Sequence, residues 1–396
     1  MSEQFLHGIE VVEVDDGVRP IRTVKSSVVG LIGTAPDADE AEFPLDAPVL
    51  LIGSPRKAAK LGGAGTLKDA IDGVFDQTGA VVVVVRVAEG DDIAATLSNV
   101  VGDAATKTGV HAFLAAQSSV KATPRILAAP GFTGIRPKGK ANPVVAALLA
   151  VAERMRAVVV ADGPNTTDTD AIAYREDWGS ARVYVVDPHA MVWDTATNGP
   201  VAQPASARVA GLVARVDNDR GFWWSPSNQV VNGIVGVSRP VDFNMSDPNS
   251  TANYLNERDV ATIVQKDGYR LWGNRTTAAD PLWAFLSVRR TADMVYESIE
   301  NAYLWAMDRP FSAQLLRDIA GGGEAYLRRL TSLGAILGGR VWLDEELNTP
   351  TAFQSGKLYV DFDIEPPAPM ERLTFMARRD AGYYTEMFKD AASGET

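Results

Sequence analysis

Val81-Val82-Val83-Val84-Val85 is a run of five β-branched residues, preceded by Gly79 and continued by Arg86-Val87. A strand with one wet face alternates in polarity. A strand that is apolar at every position is covered on both faces, as in a mainly parallel sheet sandwiched between crossover helices. The surrounding sequence has the matching rhythm. Strand candidates are 28–32, 49–52, 81–87, 125–129, 157–161 and 182–186, and helix candidates are 66–77, 142–156, 168–178 and 204–216. Short apolar runs separated by helical stretches imply an α/β fold with a mainly parallel sheet, here assigned to residues 23–220.

The pattern changes after residue 220. Val230-Val231 and Ile234-Val235 flank Asn232-Gly233, which predicts a hairpin. Residues 282–308 read as one long helix with Val295, Ile299, Ala302 and Ala306 on a single stripe, stopped by Pro310. Ser312 is placed to cap a second helix, with Phe311 and Leu316 at the positions of a hydrophobic staple. Leu358, Val360, Phe362 and Ile364 alternate with polar residues as a half-buried strand, which Pro366, Pro367 and Pro369 end. Residues 221–380 are therefore expected to form a separate α+β domain.

The two termini fit neither pattern. Ile9, Val11, Val12 and Val14 make a β-branched run among acidic residues, before Gly17 and Pro20. It is either an edge strand of the first domain or an arm that pairs elsewhere. Tyr384, Met387 and Phe388 lie close to the last residue, where chains are ordinarily polar and frayed. Their own domain or a neighbouring subunit must cover them.

Several classes of chemistry are excluded or weak. There is no cysteine, so disulfides, thiolate–zinc sites and thiol catalysis are out. With 38 basic against 50 acidic residues, the net charge of −12 opposes sequence-independent nucleic-acid binding and an anionic membrane surface. No run reaches the roughly 18 apolar residues of a membrane span, and the first residues lack the basic start of a secretory leader. Gly62-Gly63-Ala64-Gly65-Thr66 lacks the lysine and the spacing of a phosphate loop, and Thr66 reads better as a helix N-cap. Asp162, Asp187 and His189 follow predicted parallel strands, where α/β enzymes gather functional groups. A nucleotide- or metal-dependent enzyme built on those three is the alternative reading. Asp-Gly and Asp-Pro also end strands for purely conformational reasons.

Five stretches in order resemble contractile tail sheath proteins of myophages and R-type bacteriocins. They are His7-Gly8 with Gly17 to Ala35, Pro124-Arg125-Ile126-Leu127, the run Asp267 to Thr276 (the most specific), Leu316 with Asp318-Ile319, and Gly356 to Phe362. None is catalytic, so their joint order carries the weight. The resemblance implies a structural, cofactor-free subunit that polymerises as stacked rings around a tail tube protein, between baseplate and tail terminator proteins, without nucleic acid or membrane insertion. It places the chain in a virion tail or bacteriocin particle assembled in the host cytoplasm. It implies that arms 1–22 and 381–396 exchange strands with neighbours, with Leu358, Val360, Phe362 and Ile364 as the acceptor strand.

A tube-facing helix is also implied; within it Arg317 and Arg328, eleven residues apart and so on one helical face, are singled out with Arg329 by the local positive excess as the residues that would meet the tube. Gly321-Gly322-Gly323 interrupts the helix at roughly 1 kcal/mol per glycine relative to alanine. Whether that helix stays continuous is open from the sequence.

Overall fold

The computed structural model describes residues 20–53 and 55–394. The strands in chain order are β1 (Val29–Thr34), β2 (Pro48–Ile52), β3 (Val81–Val87), β4 (Ile126–Ala128), β5 (Val158–Asp162), β6 (Val183–Val186), β7 (Ala190–Asp194), β8 (Gly199–Gln203), β9 (Gly236–Val237), β10 (Val260–Gln265), β11 (Tyr269–Trp272), β12 (Gly338–Leu343) and β13 (Val360–Glu365). The longer helices are α1 (Leu67–Phe75), α2 (Ile93–Val101), α3 (Pro143–Met155), α4 (Asp168–Arg175), α5 (Ser206–Asp219), α6 (Thr251–Glu257), α7 (Leu286–Ala302), α8 (Ala313–Ser332) and α9 (Gly382–Ser393).

Eight strands form one sheet in the order β11-β10-β6-β5-β4-β1-β3-β2. Its inner pairs are parallel, and antiparallel β2 and β11 close the two sides. The valines of β3 explain why both faces are covered. Val82 and Val84 point into one layer with Leu67, Ile71 and Val74 of α1 and Val209, Leu212 and Val213 of α5. Val83 and Val85 point into the other, with Leu97 and Val100 of α2 and Val144, Leu148 and Val151 of α3. The result is a three-layer α/β/α body. β10 and β11 complete this sheet, so its material extends past residue 220, where the sequence suggests a boundary.

The hairpin expected at Asn232-Gly233 does not form. The Gln77 side-chain amide holds the backbone of Asn232, donating to its carbonyl (2.9 Å) and accepting from its N–H (2.9 Å). Gly233 does turn left-handed (φ 73°), and a Cβ there would fall 2.2 Å from an Asp76 carboxylate oxygen. The flanks then part. Val231 bonds to Tyr269 of β11, whereas Gly236 and Val237 pair with Met191 and Ala190 of β7. Thr66 flanks α1 without capping it, because its hydroxyl accepts from the Thr34 N–H (3.2 Å).

The second module packs α7 and α8 against a two-stranded antiparallel sheet, β12–β13. Its core is small: Ile21, Phe222, Met294, Val295, Tyr326, Leu327, Leu330, Ala335 and Ile336, with Val341, Phe362 and Ile364 laid against it. The long helix expected over 282–308 is shorter. α7 ends at Ala302 because Tyr303 turns onto α8 and donates its hydroxyl to the Ile319 carbonyl (2.6 Å). Ala306, expected on the stripe, lies in a separate helical turn. Ser312 caps α8 through the Leu315 N–H (3.1 Å). Phe311 meets Phe353, with ring centroids 5.2 Å apart.

α8 runs unbroken through Gly321-Gly322-Gly323. A Cβ on Gly323 would sit 3.1 Å from a Val341 methyl and 3.2 Å from the Tyr303 hydroxyl. A bare backbone there lets the helix lie close to β12 and to Tyr303. The glycine cost in helix propensity is offset by that contact.

Candidate functional site

The predicted acceptor strand is β13 together with Leu358, two residues before it. Val360, Phe362 and Ile364 stand opposite Leu343, Val341 and Gly339 of β12, and Leu358 precedes the pairing. Phe362 and Ile364 face the small core, with the Phe362 ring 5.8 Å from that of Tyr296. Among the described residues, each strand of this pair has one lateral edge without a partner. Two strands alone are marginal in water and gain from further strands or a covering helix; α8 covers only one face.

The C-terminal arm leaves from this sheet. From Pro366 to Asp380 it has no regular secondary structure, and the alternating Leu373 and Phe375 are exposed (63% and 85%). The end of the arm is helical, which corrects the expected strand over 381–396. Tyr384, Met387 and Phe388 follow one another at i, i+3 and i+4, so α9 gathers them on one face, where they stay exposed. Ile9, Val11, Val12 and Val14 lie outside the described residues.

Arg317, Arg328 and Arg329 all lie on the exposed side of α8. Arg317 donates to the Gln314 side chain (3.1 Å), and Arg328 pairs with Glu324 (3.3 Å). The continuous helix preserves their common face across the glycines.

Asp162, Asp187 and His189 do gather at the carboxyl ends of β5 and β6, but the acids are occupied structurally. Asp162 accepts from the Ser206 hydroxyl (2.5 Å), the Ser206 N–H (2.8 Å) and the Thr133 hydroxyl (3.2 Å), so it pins the start of α5. Asp187 accepts from Arg239 (2.6 Å) and the Asn165 N–H (2.7 Å). Burial pushes both carboxyls above the ordinary range, while these hydrogen bonds and nearby positive charge pull the other way. No group of three or more His, Asp or Glu among the described residues is arranged to hold a metal ion. A cavity of about 170 Å³ sits beyond the ends of β1 and β4, where the strand order reverses. Of its polar lining groups, Thr66 is committed to Thr34, and Arg208 to Gln203 and Asp76. A crevice is what this topology leaves, and its Thr66, Gln203 and Arg208 side chains already serve the fold.

One set of residues escaped the sequence reading. Arg125, Arg156 and Arg182 each precede a parallel strand (β4, β5 and β6), and each meets an acid of α7. Arg125 pairs with Glu297, Arg156 binds Glu300 through both its terminal nitrogens, and Arg182 binds Asp293 through two bonds (2.6 and 3.0 Å). Arg290 of α7 reaches back to Asp217 of α5 through two further bonds (2.7 and 2.5 Å). The acids fall at i, i+4 and i+7, one face of a helix. The repeated arginine at the strand entrances was the visible signal.

The whole chain also has known counterparts. Residues 103–277 match the phage tail sheath protein central domain, 278–378 the phage tail sheath C-terminal domain, and 26–87 the tail sheath protein Gp18 domain III N-terminal region. The tail sheath protein of Escherichia phage P2 is 37% identical over 94% of this chain and 95% of its own length. The major tail sheath protein of Serratia phage KSP20 is 33% identical over 98% of both. In three dimensions the chain superimposes on the helical sheath of the anti-feeding prophage in its contracted state, with a TM-score of 0.71 at 22% identity, covering 95% of this chain and 100% of that one.

Proposed function

The chain belongs to the phage tail sheath family, and from that membership we propose that it encloses a tail tube as stacked rings, held by arms passed between copies. It is a structural subunit of a contractile tail sheath and not an enzyme. In this reading the arms 1–22 and 381–396 of neighbouring subunits add to the free edges of β12–β13, the second giving up its exposed helix α9 for an extended strand on the neighbour. Leu358, Val360, Phe362 and Ile364 form the acceptor, and Ile9, Val11, Val12, Val14, Tyr384, Met387 and Phe388 are the donated side chains. Strand addition gives main-chain hydrogen bonds for affinity and side-chain positions for register. The exposed face of α8 meets the tube protein, and baseplate and tail terminator proteins close the ends. Assembly takes place in the cytoplasm of the host, and contraction drives the tube through the target envelope. No nucleotide is needed: the extended polymer is a stored state with a lower one available.

The observation that carries this reading is a two-stranded sheet whose edges are unpaired among the described residues, beside an arm whose apolar residues are exposed. Negative-stain electron microscopy of the purified chain tests it. Wild-type protein should form tubes. A chain lacking residues 381–396 should stay soluble, melt cooperatively at the parent temperature and form none. Normal tubes from the truncated chain would remove the arm from the assembly mechanism.

A further inference from the structure

The run Asp267 to Thr276 is the most specific part of the family pattern, yet the fold alone does not account for Arg275. Its neighbours are locked. Asn274 accepts from the Leu286 N–H (2.9 Å), Thr276 donates to Ala284 (2.7 Å), and Thr277 donates to Val183 of β6 (2.9 Å). Asn274, Thr276 and Thr277 are buried. Arg275 itself points outward and grips Glu371 with two parallel bonds, Nε at 2.8 Å and Nη2 at 2.6 Å. Its guanidinium also lies over the Phe285 ring, 4.9 Å from the centroid, which fixes the plane of the fork.

Glu371 sits at the point where the C-terminal arm departs. β13 ends at Glu365, and Pro366, Pro367 and Pro369 stiffen the next stretch. Among the described residues, Glu371 is the one position from Pro366 to Arg379 that makes a side-chain hydrogen bond or ion pair. Every residue from Glu371 to Gly394 is exposed.

We propose that Arg275 and Glu371 form a clamp that fixes where and in which direction the C-terminal arm leaves its own subunit, so that it meets the acceptor edge of a second copy. Arg275 is then a positioning residue for assembly. Its support, the 274–277 strap, belongs to the rigid α/β body, so the arm takes its bearing from the outer layer although it springs from the inner sheet. The pair is about one-third exposed on both sides (37% and 36%). Such pairs contribute little to folding stability, and their geometric fixing of a tethered segment matters more for the local concentration at the partner site. The inference rests on the reading that the arm links subunits.

Three variants of the full-length chain test it. Glu371→Arg should leave the melting temperature unchanged and cut tube yield about tenfold or more, because a tethered segment aimed wrongly loses its effective concentration. Arg275→Glu should do the same, and the swap of both should restore tubes with the parent helical parameters. Glu371→Gln, which keeps the shape and loses the charge, should give an intermediate yield and serves if either reversal misfolds. The cysteine-free chain also allows spin labels at Met376→Cys and Glu257→Cys, whose distance distribution should broaden in Glu371→Gln. Wild-type yield from Glu371→Arg overturns the clamp, as does a swap that fails to restore assembly or an unchanged distance distribution. The 381–396 truncation separates this from the arm reading: tubes without the arm sink the arm itself, whereas no tubes from it and normal tubes from Glu371→Arg sink only the clamp.

Discussion

The α/β body and the second module solve the same problem in opposite ways. Up to residue 275, nine large apolar side chains are exposed among the described residues: Leu45, Ile52, Ile93, Trp193, Val201, Trp224, Val235, Met245 and Tyr254. From residue 276 onward, a shorter stretch, there are seventeen, including Leu282, Leu304, Met307, Leu337, Phe375 and Phe388. The first region closes its sheet between two helical layers. Among the described residues, the second has a nine-residue core and a two-stranded sheet with unpaired edges. One region is finished by its own chain, and the other, in the function proposed above, is finished by copies of itself. The difference separates folding from assembly, and mutations in the two regions should separate them too.

The largest effect on folding is expected where the two regions join. Asp293 is buried and accepts from Arg182 (2.6 and 3.0 Å) and from Arg289 (2.8 Å). Replacing it with alanine leaves two arginines around an emptied acid, a loss of about 3–5 kcal/mol for a broken buried pair. Asp293→Ala should lower the denaturant midpoint accordingly and expose the α7 boundary to limited proteolysis. If it melts like the parent, the seam between the regions is not what makes the subunit one body.

A smaller and sharper comparison lies within the glycine run. Gly323→Ala pushes a methyl towards Val341 and Tyr303 and should cost about 1–3 kcal/mol by overpacking. Gly321 has nothing within 4 Å of its Cβ position. Gly321→Ala should therefore stabilise the fold by up to about 1 kcal/mol through helix propensity. Chemical denaturation of the two single mutants reads both signs. Equal shifts would mean that the glycines are not kept for close packing against β12.

How far the sequence could be read follows the same division. The β3 valines, the Ser312 cap and the apolar alternation around Phe362 were legible because local pattern and final burial agree at those positions. The failures sit where a distant group overrides a local signal. Gln77 captures Asn232 and parts the expected hairpin. Tyr303 bonds to the carbonyl of Ile319 and cuts a helix that periodicity alone would have continued. Thr34 takes the hydroxyl that should have capped α1. The arginine–acid ladder was present in the sequence, but its meaning needs the strand order that brings Arg125, Arg156 and Arg182 to one rim. The arm was noticed for its apolar residues, yet its helical end was missed, because Tyr384, Met387 and Phe388 suit a helical face as well as an extended one.

The smallest effect on stability, and the most selective one on assembly, is expected from the exposed side of α8. Arg317 and Arg328 are eleven residues apart, so on an unbroken helix they differ by only about 20° and stand about 16 Å from one another. Between Arg309 and Arg340 there are five arginines against Asp318 and Glu324, a local excess of positive charge in a chain of net −12. The two are not equally available. Arg328 is paired with Glu324, which also accepts from the Val341 N–H (3.1 Å) and is thereby held in place. Arg317 meets only the neutral Gln314 side chain among the described residues. Exposed ion pairs contribute about 0–1 kcal/mol each, so one proposed contact to an acidic tube would be weak, while its repetition in every subunit would keep the sheath in register and still let go on contraction. The double reversal Arg317→Glu with Arg328→Glu should melt within about 0.5 kcal/mol of the parent, as surface substitutions do, and form contracted sheath alone. It should not assemble extended sheath on tubes. Of the single reversals, Arg317→Glu should lower the yield of tube-filled particles more than Arg328→Glu, because the Glu324 carboxylate already screens the second site. Tube-filled particles from the double mutant at parental yield would move the tube contact to another face of the subunit.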